Sequence, residues 1–283
     1  MAEAIPSEKL RDAIEKIARG RETVACAVSV HDFETGADSS FHGDRLFHAA
    51  STIKVAILLA LFKAVDEGRI RLTDPLHVRN RFRSALDGTP FRLDPNADGY
   101  PQLYKSVGRT ARVAALAESM IIWSSNLATN LLLDHLGVEY ATQVLAEAGV
   151  SGVHLRRGVA DDRAHGQGLN NETTADGLVQ LFATLRSDFL TKPSRGEVIL
   201  ILLSQKFTSM IPAGLPSHAT VAHKTGEIST ACHDVGIVYL PEREPYIVAI
   251  LTEVTPEKNG RRETVKRLSE AVYEGVTGKK VAS

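Results

Sequence analysis

The sequence predicts an α/β protein of the α+β sandwich kind: an antiparallel sheet flanked by helices, with an all-helical domain inserted into it. Three observations predict this. Short β-branched, apolar segments bounded by Gly and Pro turns gather at the two ends of the chain. The stretch between them carries helical periodicity. An amphipathic helix pattern stands at each terminus, so both ends contribute to one sheet and its covering helices. The expected division is an α/β domain from residues 1–50 plus 212–283 and a helical domain from 51–211.

The elements follow in order. Residues 7–19 place Leu10, Ile14 and Ile17 on one face at helical spacing. Residues 23–33 form an apolar, β-branched strand, 34–38 a Gly-containing turn and 39–47 a returning strand. From Ser51 to Asp66 the pattern is helical and apolar on most sides, as expected of a helix buried at a domain's centre. Residues 73–110, rich in Pro, Gly, Asp and Arg, read as a long irregular excursion. Residues 113–136 and 140–148 read as helices stopped by Gly137 and Gly149, and 152–171 as a long loop. A loop of that length in a compact domain is often functional. Helical spacing returns at 174–185 and 194–203. Strands are expected at 220–224, 235–240 and 246–252, and a last helix at 262–273.

Bulk properties exclude several classes. The chain has 283 residues, 43% hydrophobic and 24% charged, with a formal net charge of −1. That length buries an ample core without disulfides or metals, and the charge balance lacks the basic excess of a nucleic-acid binder. Arg79, Arg81 and Arg83 read as a solvated face. Cys26 lies in an apolar run and reads as core. Neither it nor Cys232 has zinc-type spacing, and the ten histidines include no HExxH pair, so no metal or cofactor is expected. The longest apolar run, 55–62, is too short to span a bilayer. The first residues lack a signal-peptide core, so the chain as written reads as cytoplasmic, or as periplasmic or secreted if a signal segment has been removed. It is expected to be a monomer acting on a small molecule, with neither nucleic acid nor membrane as partner.

Three short motifs carry the chemistry. Ser51-Thr52-Ile53-Lys54 is the one SxxK in the chain. A spacing of three on a helix sets both side chains on one face. A serine hydroxyl needs a neighbouring base to become nucleophilic, and a lysine serves as that base when burial or nearby positive charge lowers its pKa. At a helix N-terminus, backbone N–H groups can also hold an oxyanion. Ser124-Ser125-Asn126 offers a hydroxyl for proton relay and an amide for orienting groups. Lys224-Thr225-Gly226 ends a predicted strand, where Lys and Thr can hold a carboxylate, the strand edge can pair with a substrate amide, and Gly226 permits close approach.

The conjunction and order of these motifs resemble the class A β-lactamase and penicillin-binding-protein family, which uses SxxK, S-D-N and K-T-G. Phe47-His48-Ala49-Ala50 before Ser51, the run from Ser124 to Leu133, and Leu169-Asn170 followed by Thr173-Thr174-Ala175 extend the likeness over nearly the whole chain. The resemblance implies a β-lactamase/transpeptidase-like fold and a serine hydrolase working through an acyl-enzyme. In that scheme Ser51 is acylated, Lys54 shares its proton, and Ser124 relays a proton to the leaving nitrogen. Asn126 contacts the substrate amide and Asn170 aligns with the Asn of the family's Ω-loop. Lys224 and Thr225 bind the substrate carboxylate, and the N–H groups of Ser51 and Glu227 make the oxyanion hole.

The chain departs from the family at three positions. Ser125 replaces the Asp of S-D-N. Gly166 stands where class A enzymes carry the Ω-loop Glu that activates the deacylating water. Asp161, Asp162, His165 and Glu172 are the nearby substitutes, and Asp161 is taken here as the deacylation base. Glu227 replaces a small residue directly after Lys-Thr-Gly, where an inward carboxylate would oppose anionic substrates. The leading expectation is opening of a β-lactam or related amide or ester. The alternatives are a sensor-like protein that deacylates slowly, and an esterase or carboxypeptidase on another substrate.

Overall fold

The computed structural model describes residues 7–19, 23–255 and 260–281. In chain order these form helix α1 (Ser7–Ala18), strands β1 (Thr23–Asp32) and β2 (Asp38–Phe41), helices α2 (Lys54–Asp66), α3 (Val113–Ile122), α4 (Asn126–Leu136), α5 (Val138–Glu147), α6 (Asp162–Gly166), α7 (Ala175–Arg186) and α8 (Lys192–Leu203), strands β3 (Thr220–Ile228), β4 (Ala231–Leu240) and β5 (Arg243–Val254), and helix α9 (Arg261–Thr277). The mixture of helices with an antiparallel sheet is the predicted fold class. The chain divides into one unit of Met1–Thr52, Thr173–Ala183 and Phe207–Ser283, and another of Ile53–Glu172 and Thr184–Lys206.

The first unit is built on a five-stranded sheet in the order β3-β4-β5-β1-β2. Its neighbours are antiparallel throughout: short connections join β1 to β2, β3 to β4 and β4 to β5, while β5 pairs with β1 from the other end of the chain. One face is apolar: Cys26, Val28 and Val30 of β1, Val238 of β4 and Val248 and Ile250 of β5 pack with Leu10 and Ile14 of α1 and Val265, Leu268 and Val272 of α9. The strands at 220–224 and 246–252 run longer than hydropathy alone indicates, because ladder pairing carries them past their apolar cores. The expected strand at 39–47 stops early. His42 takes a positive φ of 48°, which ends β2 at Phe41.

Gly43 shows why 173–183 joins the sheet unit rather than the helical one. A Cβ there would lie 2.1 Å from Asp176 Oδ1 and Ser40 Oγ. The backbone can come that close only without a side chain. Ser40 Oγ then donates to Asp176 Oδ1 at 2.9 Å, and Asp176 N donates to Gly43 O at 3.0 Å.

The second unit is helical. α2 is buried on almost every side, from Lys54 to Phe62, and contacts α3, α4, α5 and α8. That encirclement is what its all-round apolar composition requires. The excursion at 73–110 is irregular, with paired stretches of two or three residues, Pro75–His77 against Thr110–Arg112 and Phe82–Arg83 against Pro90–Phe91. The single helix read over 113–136 is two helices. α3 ends at Ile122, and Ser124 breaks the path with a φ of +58°. No helix among the described residues is long and apolar enough to cross a membrane.

Candidate active site

Ser51 lies in a 3-10 turn, Ala50–Ile53, that runs directly into α2. The turn is entered through Ala50 at φ +46°, a left-handed conformation that costs a side-chain-bearing residue about 1–3 kcal/mol and must be held by its surroundings. The first unit holds it through two histidines. Ala50 N donates to His48 Nδ1 at 3.0 Å. His233 of β4, fully buried, donates from Nε2 to His48 O at 2.9 Å and accepts at Nδ1 from Thr252 N at 3.1 Å. Burial pushes the His233 imidazole down to about 4, so it stays neutral and its tautomer is set. Neither histidine belongs to a motif. His48 stands three residues before Ser51 and His233 nine after Lys224, the only signal the sequence offered for them.

In the second unit Lys54 has no exposed surface. Its Nζ donates to Ser124 O at 2.7 Å, to Ser124 Oγ at 3.1 Å and to Asn126 Oδ1 at 2.8 Å. Two motifs distant in sequence are thereby joined at one atom. The left-handed Ser124 turns its carbonyl and hydroxyl toward the same amine. Ser125, where the family has Asp, is fully buried and N-caps α4: its hydroxyl accepts from Ala128 N at 3.2 Å. A short polar side chain suffices for this role. Asp98, unremarked in the sequence, steadies the same helix start. Its carboxylate accepts from Leu127 N at 2.9 Å and from Tyr100 N at 2.8 Å.

Lys224, Thr225, Gly226 and Glu227 lie on β3, an edge strand of the sheet. Lys224 is fully buried and donates to Thr225 O at 2.8 Å. Burial pulls its ammonium down to about 7, against the opposing pull of the Asp234 carboxylate. Asp234 is itself buried, bound by His223 Nδ1 at 2.9 Å and Ile211 N at 3.0 Å. A Cβ on Gly226 would lie 3.0 Å from Thr52 Cγ2 and 3.2 Å from Ala50 Cβ. Glycine therefore lets β3 press against the two residues that bracket Ser51, which brings the first and third motifs together. Glu227 does not stand alone. Arg261 Nε meets its Oε1 at 2.9 Å, and Arg262 donates from Nε and Nη2 to its Oε2 at 2.9 and 2.7 Å.

The loop at 152–171 contains the short α6. Asn170 Oδ1 accepts from Arg157 Nη2 at 3.1 Å and from His165 Nδ1 at 2.7 Å. Asp161 is differently placed from a free base. It is 2% exposed and caps α6, accepting from Ala164 N at 3.2 Å, Ser84 Oγ at 2.9 Å and Ala85 N at 2.8 Å. Both of its oxygens are engaged in holding the loop to the 84–85 turn. Glu172 is paired with Arg156. The thiols of Cys26 and Cys232 are pushed up to about 12 by burial, which removes them as nucleophiles. No group of His, Cys, Asp and Glu among the described residues is arranged to hold a metal ion.

One unit holds a buried lysine bound to a serine and an amide, and the other a lysine-bearing strand pressed against the turn that carries Ser51; these are groups that a serine hydrolase of the acyl-transfer kind uses. The chain belongs to the beta-lactamase enzyme family, whose model matches residues 9–276. It is 27% identical over 253 residues to "Beta-lactamase ROB-1" of Haemophilus influenzae, covering 87% of this chain and 78% of that protein. Among solved structures, PBP-A superposes with a TM-score of 0.82 at 26% identity, covering 97% of each chain. A PBP-A mutant in acyl-enzyme complex with penicillin G matches with a TM-score of 0.81 at 26% identity, covering 97% of this chain and 98% of the other.

Ser125→Ala removes the cap of α4 and is expected to lower stability by about 1 kcal/mol. Thermal unfolding followed by circular dichroism checks this; an unchanged midpoint would show that the cap does not hold α4.

Proposed function

We propose that this enzyme opens a β-lactam, or a related amide or ester, through an acyl-enzyme on Ser51. The observation that carries the reading is the burial of Lys54 against Ser124 and Asn126. Nζ donates to three oxygens, two of Ser124 and one of Asn126. To act as a base, Lys54 must give up one proton. Ser124 is the one acceptor of the three whose hydroxyl can reverse its bond and donate into the amine's lone pair. Ser51 Oγ then attacks the carbonyl and its proton passes to Lys54; as the ring C–N bond breaks, Ser124 hands its hydroxyl proton to the leaving nitrogen and takes one back from Lys54 Nζ. The N–H groups of Ser51 and Glu227 receive the oxyanion. Lys224 and Thr225 bind the substrate carboxylate, and Asn126 its amide. The reading asks for a small molecule and a single chain, with no cofactor.

Deacylation needs a different base from the family's Glu. Of the candidates in the loop, His165 is the one bonded to Asn170. A histidine can serve as a general base toward water, and this one lies beside the residue that aligns with the Asn of the family's Ω-loop. A slow-releasing penicillin-binding protein is the second reading, favoured by Gly166 at the Glu position and by the engagement of Asp161.

Intact mass followed after addition of a chromogenic cephalosporin, with absorbance in parallel, tests both. Rapid turnover with little adduct supports hydrolysis, and a lasting adduct of one acyl group supports the second reading. Ser51→Ala is expected to abolish the adduct, and labelling that survives would sink Ser51 as the nucleophile. His165→Ala is expected to slow deacylation about a hundredfold, the usual scale of general-base catalysis, with acylation little changed. Equal slowing of both steps would remove His165 from that role.

The Lys224 value gives a pH dependence. A cation with its pKa at about 7 is charged below that pH and neutral above it. KM for a carboxylated substrate is therefore expected to be flat in acid and to rise above pH 7, approaching about tenfold per pH unit. A KM independent of pH from 6 to 9 would exclude Lys224 as the carboxylate's partner.

A further inference from the structure

Side chains alternate along a strand, so Thr225 and Glu227 share one face of β3 and Lys224 and Gly226 the other. The two carboxylate-relevant residues stand roughly 7 Å apart along that face. The register agrees: Glu227 lies opposite Cys232 on β4, and Thr225 opposite Asp234. Beyond Glu227 on this face, the first turn of α9 presents Arg261 and Arg262. Each carboxylate oxygen of Glu227 is taken by one guanidinium, Oε1 by Arg261 and Oε2 by both donors of Arg262. Arg261 also donates from Nη1 to Ile228 O at 3.0 Å, which fixes its position over the end of the strand. Planar, paired donors of this kind are the preferred receptor for a carboxylate. Here an internal carboxylate occupies them, and the arrangement is partly open to solvent, with the Glu227 side chain 22% and the Arg262 side chain 55% exposed.

We propose that Glu227 is a specificity-determining residue that acts as a built-in competitor for the substrate carboxylate, so that it weakens, without replacing, the hold of Lys224 and Thr225 on that group. The inference rests on the acyl-transfer reading and on Thr225 facing that part of the substrate. Two effects act together. Glu227 repels an anion bound two residues away, and it keeps Arg261 and Arg262 from reaching that anion. Discrimination by an element placed against the disfavoured ligand is a general route to specificity. A purely mechanical role, tying α9 to the end of β3, would change stability and leave charge preference where it was.

The test compares a chromogenic cephalosporin bearing its free ring carboxylate with the methyl ester of the same compound. The quantity read is the ratio of their kcat/KM values, or of their acylation rates if release is slow. Glu227→Gln, which retains size and hydrogen bonding while removing the charge, is expected to raise the acid-to-ester ratio about tenfold, chiefly through KM of the acid. Arg262→Gln, which leaves Glu227 less neutralised, is expected to lower the ratio about threefold. The second variant keeps the test open if the first fails to fold. A ratio within twofold of wild type in the folded variants overturns the proposal while leaving Ser51 acylation intact. Failure of both compounds to label Ser51 in the wild-type enzyme overturns the acyl-transfer reading, and this inference with it.

Discussion

A lysine with no exposed surface is the constraint on which the second unit depends. Burying an ammonium is costly unless its donors are matched, and Lys54 meets three oxygens from Ser124 and Asn126. Supplying those oxygens dictates the surrounding geometry. Ser124 must leave the helical path, so α3 and α4 are two helices. Ser125 must cap the second, and Asp98 must hold its first turn. The strain at Ser124 is retained because the lysine over-determines it.

The sheet unit solves a parallel problem at Ser51. The left-handed Ala50 places the serine at the head of α2, and a neutral buried histidine links that turn to β4 and β5. Gly226 lets the edge strand close on the same turn. Within each unit the motif residues are thus positioned by backbone approaches and buried hydrogen bonds as much as by the side chains that a motif records.

Charge is arranged with similar economy. Lys224 is kept near neutrality by burial and partly restored by Asp234, which His223 and Ile211 N hold in place. Glu227 is answered by two arginines. The motif Lys-Thr-Gly therefore operates in a field set by residues on β4 and α9, which are remote in sequence and carry no signature of their own.

The sequence by itself determined the fold class, the strand–helix–strand order and the three motifs, because periodicity, turn residues and short spacings are local properties. It also marked the absent Ω-loop Glu at Gly166 and the unusual Glu227. It offered Ser124-Ser125-Asn126 as a helix-start signal, but the left-handed Ser124 and the attachment of its oxygens to Lys54 are set by a residue far along the chain. It did not show that Asp161 is consumed by Ser84 and Ala85, which lie 77 and 76 residues away, nor that Asp176 would draw 173–183 onto the sheet unit. It left the direction of Glu227 open, and Arg261 and Arg262 decided it. Hydrogen bonds between residues distant in sequence have no periodicity to read, so only the tertiary structure could settle which polar groups serve the scaffold and which are left for chemistry.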